Sequence, residues 1–121
     1  MVLVDTSIWI AHFRKGVPHL EELLLDTRVA VHPFVIGEIA CGNLRNRIEI
    51  LSLLNALPHA EYAENKEILA FIESKKLMGI GIGFIDVHLL ASSLLSNIPL
   101  WTLDKALESA ASKLKINYKI A

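Results

Sequence analysis

The sequence predicts an α/β fold around a mostly parallel central sheet, and two observations carry that prediction. Short apolar, β-leaning runs alternate with longer segments of helical periodicity, which is the pattern of strands joined by helical crossovers. Acidic residues stand at or near the points where those runs hand over to helices, and open α/β sheets bind their ligands beyond the carboxyl ends of the strands.

Val2 to Asp5 reads as the first strand, apolar enough to be covered on both faces. Thr6 or Ser7 can cap a helix carrying Ile8, Trp9 and Phe13, and Gly16-Val17-Pro18 ends it before a second helix through Leu20, Leu23 and Leu24. Arg28 to His32 is the second strand. Pro33 suits the first turn of a helix expected to run to about Arg47, with Val35, Ile36, Ile39 and Ala40 as its apolar positions. Further helices are expected over about Ile48 to Ala56 and Glu64 to Lys76, with an edge strand near His59 to Tyr62 between them. The run Gly79-Ile80-Gly81-Ile82-Gly83 lacks the residues of a phosphate loop and reads as backbone flexibility before a helix of about Phe84 to Ser96. Leu100 to Thr102 is a third core strand, Asp104 opens the last helix, and a short strand near Tyr118 ends the pattern.

With 121 residues, four Pro and six Gly, the chain reads as one domain over 1–121 with little disorder. Its hydrophobic fraction of 53% lies above the usual range, which leaves apolar surface to spare for a protein partner. Charged residues break every apolar stretch before it reaches bilayer length, and the start MVLVD has no basic segment leading an apolar run. No membrane span is expected, and a cytoplasmic location follows. Cys41 is the single cysteine, so it has no disulfide partner within the chain and reads as a small apolar filler. A net charge of −1 speaks against indiscriminate nucleic-acid binding. If four acids are neutralised by metal, 12 basic residues face 9 acidic ones (13 less 4), a modestly positive shell suited to one selected RNA.

Asp5, Glu38, Asp86 and Asp104 are the candidate catalytic residues. Asp5 follows Val2-Leu3-Val4, Glu38 interrupts Val35-Ile36 and Ile39-Ala40, and Asp86 interrupts Phe84-Ile85 and Val87. An ionised group in such a setting is costly to desolvate unless something neutralises it, and no basic residue stands close by in sequence. Hard divalent cations such as Mg²⁺ and Mn²⁺ take oxygen ligands and would resolve the conflict. Each acid also has a plain structural explanation. Asp5 would serve as a helix N-cap, Glu38 would pair with Arg45 or Arg47, and Asp86 and Asp104 would be first-turn acids favoured by the helix dipole. Four separate explanations must then place four acids at one end of the sheet by coincidence. Thr6, Ser7 and Thr102 are hydroxyls adjacent to the acids and candidates to orient them. Arg45, Arg47 and Lys105 are the leading candidates to meet RNA phosphates, because they follow site acids. The histidines show no paired metal-ligand spacing.

The strings VLVDTSIWI, HPFVIGEIACGNLRNR, GIGIGFIDVHLLASSLL and LWTLDKALESAA, in this order, resemble the VapC toxins of bacterial toxin-antitoxin pairs, which are PIN-domain ribonucleases. The resemblance covers essentially the whole chain. It implies a single PIN domain over 1–121, folded as a three-layer α/β/α sandwich. It also implies Mg²⁺ or Mn²⁺, a homodimer, and inhibition by a VapB antitoxin. Carried over motif by motif, it gives Asp5, Glu38, Asp86 and Asp104 as the acids, with Asp5, Asp86 and Asp104 as metal ligands and Thr6, Ser7 and Thr102 as supporting hydroxyls. Cys41 and Asn43 stand where small or apolar residues are expected.

The expected chemistry is endonucleolytic cleavage of RNA phosphodiester bonds by water at a carboxylate-bound cation. A non-catalytic RNA- or protein-binding PIN-like module is the alternative. A receiver-type phosphoacceptor needs a second acid next to Asp5, where Thr6 stands, and a haloacid-dehalogenase-type phosphatase needs one at Ser7; both rank below it.

Overall fold

The computed structural model describes residues 1–120. Its elements in chain order are β1 (Val2–Val4), α1 (Thr6–Lys15), α2 (Pro18–Leu25), β2 (Val29–Ala30), α3 (Pro33–Ala40), α4 (Arg47–Ala56), α5 (Asn65–Lys75), α6 (Phe84–Ser96), β3 (Leu100–Trp101) and α7 (Lys105–Lys113). The three strands form a wholly parallel sheet in the order β2-β1-β3. All seven strand residues are buried, as a sheet covered on both faces requires. Leu3, Leu20, Leu89, Leu90, Leu100 and Leu107 are all fully buried and tie helices from either side of the chain into one core with the sheet.

The strand order decides where a site can form. The chain moves from β1 to β2 on one side, then returns past β1 to place β3 on the other. Beyond the carboxyl ends of β1 and β3 the two connections diverge and leave a crevice, the topological switch point of an open parallel sheet. Val4 pairs with Trp101, and the Asp5 N–H donates to the Trp101 carbonyl at 2.9 Å, so Asp5 and Thr102 emerge side by side into that crevice.

Several expected boundaries shift. The third helix ends at Ala40 instead of near Arg47: the apolar periodicity stops there, the chain turns at Cys41 and bends at Gly42, and Asn46 adopts the left-handed conformation (φ 53°) before α4 begins. Cys41 is exposed in that turn, so it fills no core space. The expected edge strand near His59 is reduced to one parallel bridge between Val31 and His59, and the one near Tyr118 to a bridge between Leu100 and Asn117. Residue Asp5, and neither Thr6 nor Ser7, occupies the N-cap position of α1. In the glycine run, Gly79 and Gly81 have φ of 69° and 86°, so these glycines supply a conformation that other residues rarely adopt.

Candidate active site

Asp5 is placed by β1 and held by hydroxyls. Although it stands at the N-cap of α1, its side chain makes no capping hydrogen bond. Instead Oδ2 accepts from Ser7 Oγ at 2.8 Å and from Thr102 Oγ1 at 2.7 Å, with the residue only 6% exposed. The simple capping explanation of Asp5 therefore fails. Both hydroxyl protons are committed to Asp5, so the 3.3 Å contact between Ser7 Oγ and Thr102 Oγ1 is close packing within the cluster. Each oxygen also accepts from the backbone: Ser7 Oγ from Leu103 N at 3.0 Å and Thr102 Oγ1 from Asp104 N at 3.0 Å. The hydroxyl pair thus joins the end of β1 to the loop that presents Asp104.

The remaining acids arrive on helix starts. Asp104 Oδ1 caps α7 by accepting from Leu107 N at 3.0 Å, and Asp86 Oδ2 accepts from Gly83 N at 3.0 Å at the first turn of α6. Here the structural roles foreseen for first-turn acids are real, and they occupy one oxygen each. Among the described residues the second oxygen of each has no protein donor. Glu38, one turn into α3, accepts from Thr6 Oγ1 at 2.7 Å, which ties α3 to the start of α1.

Electrostatics show that the four acids share one space. Burial pushes the Asp86 carboxyl above the usual carboxylate range; the Gly83 N–H partly opposes this, while the charges of Asp5, Asp104 and Glu38 add to the rise. No Lys or Arg nitrogen lies within 4 Å of any of the four among the described residues, so the foreseen pairing of Glu38 with Arg45 or Arg47 does not form. An all-oxygen donor set carrying uncompensated negative charge fits a hard divalent cation. Among the described residues, no three of these carboxylates stand close enough together to form a closed ligand cluster.

The basic candidates lie elsewhere. Arg47 Nη1 donates to the Gly42 carbonyl at 3.1 Å and braces the turn after α3. Arg45 lines a groove with Arg14, while Lys105 is exposed directly after Asp104. The histidine reading needs one addition. His32 is buried and caps α3, its Nδ1 accepting from Phe34 N at 2.9 Å, a role that Pro33 at the next position could have signalled. Its pKa is lowered to about 4 by burial, with His88 and His59 adding to the effect. His88 sits between Phe34 and Phe84, with ring centroids 4.6 and 4.7 Å away, and burial lowers its pKa also.

Comparison with known proteins agrees with the fold. Residues 2–113 match the family model described as PIN domain. Over 114 residues the chain is 40% identical to Ribonuclease VapC32 of Mycobacterium tuberculosis, in both the CDC 1551 / Oshkosh and the ATCC 25618 / H37Rv strains, covering 93% of this chain and 92% of that protein. The crystal structure of PAE2754 from Pyrobaculum aerophilum aligns with a TM-score of 0.60 at 18% identity, over 90% of this chain and 78% of that one, a likeness of fold. With a wholly parallel sheet and this match along nearly its whole length, the chain belongs to the PIN-domain family, among the VapC ribonucleases.

Proposed function

We propose that this chain is a single PIN domain acting as the toxin of a toxin-antitoxin pair, an endoribonuclease dependent on Mg²⁺ or Mn²⁺. The observation that carries the reading is the gathering of four carboxylates, without a basic counter-charge, beyond the carboxyl ends of β1 and β3. Asp5, Asp86 and Asp104 would hold the cation. When bound, the cation supplies Lewis acidity, making water a better nucleophile and offsetting charge that develops on the scissile phosphate.

The chain's own groups do the positioning. Ser7 and Thr102 fix one oxygen of Asp5 and leave the other to face the cleft. The caps at Gly83 and Leu107 hold Asp86 and Asp104 on rigid helix starts. Thr6 fixes one oxygen of Glu38, leaving the other to orient the attacking water or help hold the cation. Water attacks phosphorus in line with the leaving 3′ oxygen, giving a 5′-phosphate and a 3′-OH. The 2′-OH takes no part.

The proposed assembly is a cytoplasmic homodimer that binds RNA and is silenced by a VapB-type antitoxin. Exposed Phe34, Tyr62 and Phe84 support a protein interface close to the site, and no described helix is long and apolar enough to cross a membrane. The test is digestion of total cellular RNA with Mg²⁺ or Mn²⁺ and with EDTA, beside an Asp86→Asn protein purified identically. Discrete metal-dependent fragments with 5′-phosphate ends, absent with the variant, are expected. Cyclic 2′,3′-phosphate ends would overturn the mechanism. RNA retention without cleavage by metal-loaded, antitoxin-free protein would leave the non-catalytic binding module.

A further inference from the structure

A cavity of about 520 Å³ lies where the end of α1, the turn after α3 and the start of α4 meet. Ile10, Ile39 and Ile50 contribute its apolar lining, and Arg14, Asn43 and Arg45 line it with polar groups. Arg14 and Arg45 are exposed, and neither has a carboxylate within 4 Å among the described residues. Unpaired guanidinium groups over an apolar lining are complementary to single-stranded nucleic acid, which offers phosphates on one side and base faces on the other.

One stripe of α1 leads from the carboxylates to the cavity. Thr6, Ile10 and Arg14 recur at intervals of four on α1, a single stripe of that helix. Thr6 is bonded to Glu38 at one end of the stripe, and Arg14 opens on the cavity at the other. Eight residues of helix span about 12 Å, a distance that a few nucleotides of extended RNA can cover. On α3 the same direction leads from Glu38 to the Gly42 turn, which also lines the cavity. A cleft rich in carboxylates repels the phosphates flanking the scissile bond. Positive charge one step along the backbone offsets that repulsion.

We propose that this groove is the track by which single-stranded RNA leaves the carboxylate cleft, with Arg14 and Arg45 contacting phosphates and the apolar lining receiving a base. The assignment rests on the ribonuclease reading and adds Arg14, which carries no site motif. It also explains how a chain of net charge −1 holds RNA: the basic contacts are local to the path of the strand.

The test is an Arg14→Gln/Arg45→Gln double variant, at exposed positions where the fold is expected to survive, with circular dichroism to verify it. With total cellular RNA as the probe and Mn²⁺ present, the RNA concentration for half-maximal cleavage should rise about tenfold, half of that free energy from each guanidinium. The saturated rate and the cut sites should stay as they were. The salt dependence of kcat/KM should flatten by about 0.7 per arginine removed, and the Arg14→Lys/Arg45→Lys protein should restore the slope. Equal half-saturation and equal slope in the double variant would overturn the track and give the groove to a protein partner. Filter retention of the same RNA separates this failure from that of the nuclease reading. Retention weakened by the double variant, in a wild-type protein that does not cut, keeps the groove and removes the enzyme; unchanged retention removes the groove.

Discussion

Asp86 experiences the conflict on which the site is built. Its carboxyl is half-buried, faces three other acids and is pushed toward its neutral form, so without a cation the ionised side chain destabilises the fold. The raised pKa fixes the sign: this group favours the folded state at low pH and loses that contribution as pH rises through its folded pKa. Asp86→Asn removes the charge and keeps an oxygen for the Gly83 N–H. The variant should therefore be more stable than the wild type at neutral pH in EDTA, with a higher Tm. Adding Mn²⁺ should raise the Tm of the wild type and leave the variant nearly unmoved. A thermal shift series in EDTA and Mn²⁺ checks both; a variant less stable than wild type in EDTA would show that the carboxylate is not under repulsion. At this scale Asp5, Glu38 and Asp86 stood out in the sequence, because each borders or interrupts an apolar run where a charge is costly, whereas Asp104, followed by Lys105, had no such signal. The division of oxygens between capping and cleft was not legible, since only the folded chain decides whether Asp5 turns to its helix or to Thr102.

Among the elements, α3 shows what patterning reveals and what it hides. Pro33 announces the helix start and the apolar spacing gives its buried face, yet the residue that caps it is a histidine, which is not a favoured cap. His32 works there because burial keeps it neutral, leaving Nδ1 free to accept the Phe34 N–H. A folded pKa of about 4 against 6.5 unfolded means that the unfolded chain binds more protons between those values. The contribution is full above pH 6.5 and is lost as pH falls toward 4. Between pH 7 and pH 5 the loss from His32 should be about 2 kcal/mol. His88 and His59 are the titratable groups bearing on it, and His88, also depressed by burial, adds in the same direction. Urea unfolding at the two pH values should show this fall in the wild type and a smaller one in His32→Asn, which keeps a capping oxygen but does not titrate. Equal pH dependence in the two proteins would remove His32 from the account. The short strands were less legible: β2 and β3 have two residues each, and their limits are set by pairing with β1.

Across the whole molecule, the excess of apolar residues is answered by surface that the core does not use. A second cavity, of about 310 Å³, is lined by Trp9 and Phe13 of α1, Leu24 of α2, and Ile50, Leu53 and Leu57 at α4. This groove draws on α1 from the face that carries Trp9 and Phe13, so a protein seated there can sit beside the carboxylate cleft without using its acids. If the proposed toxin reading holds, this groove is where an antitoxin is expected to seat, with Leu53, 63% exposed, at its accessible edge. Leu53→Asp places a charge in an apolar contact while disturbing little of the free protein. RNA cleavage should be unchanged in this variant, and the VapB-type antitoxin of the proposed pair should inhibit about thirtyfold less well, a loss of about 2 kcal/mol. Titrating that protein into the cleavage assay reads both quantities at once. Undiminished inhibition would place the antitoxin on another face, and a loss of cleavage without antitoxin would tie the groove to the fold of the site itself.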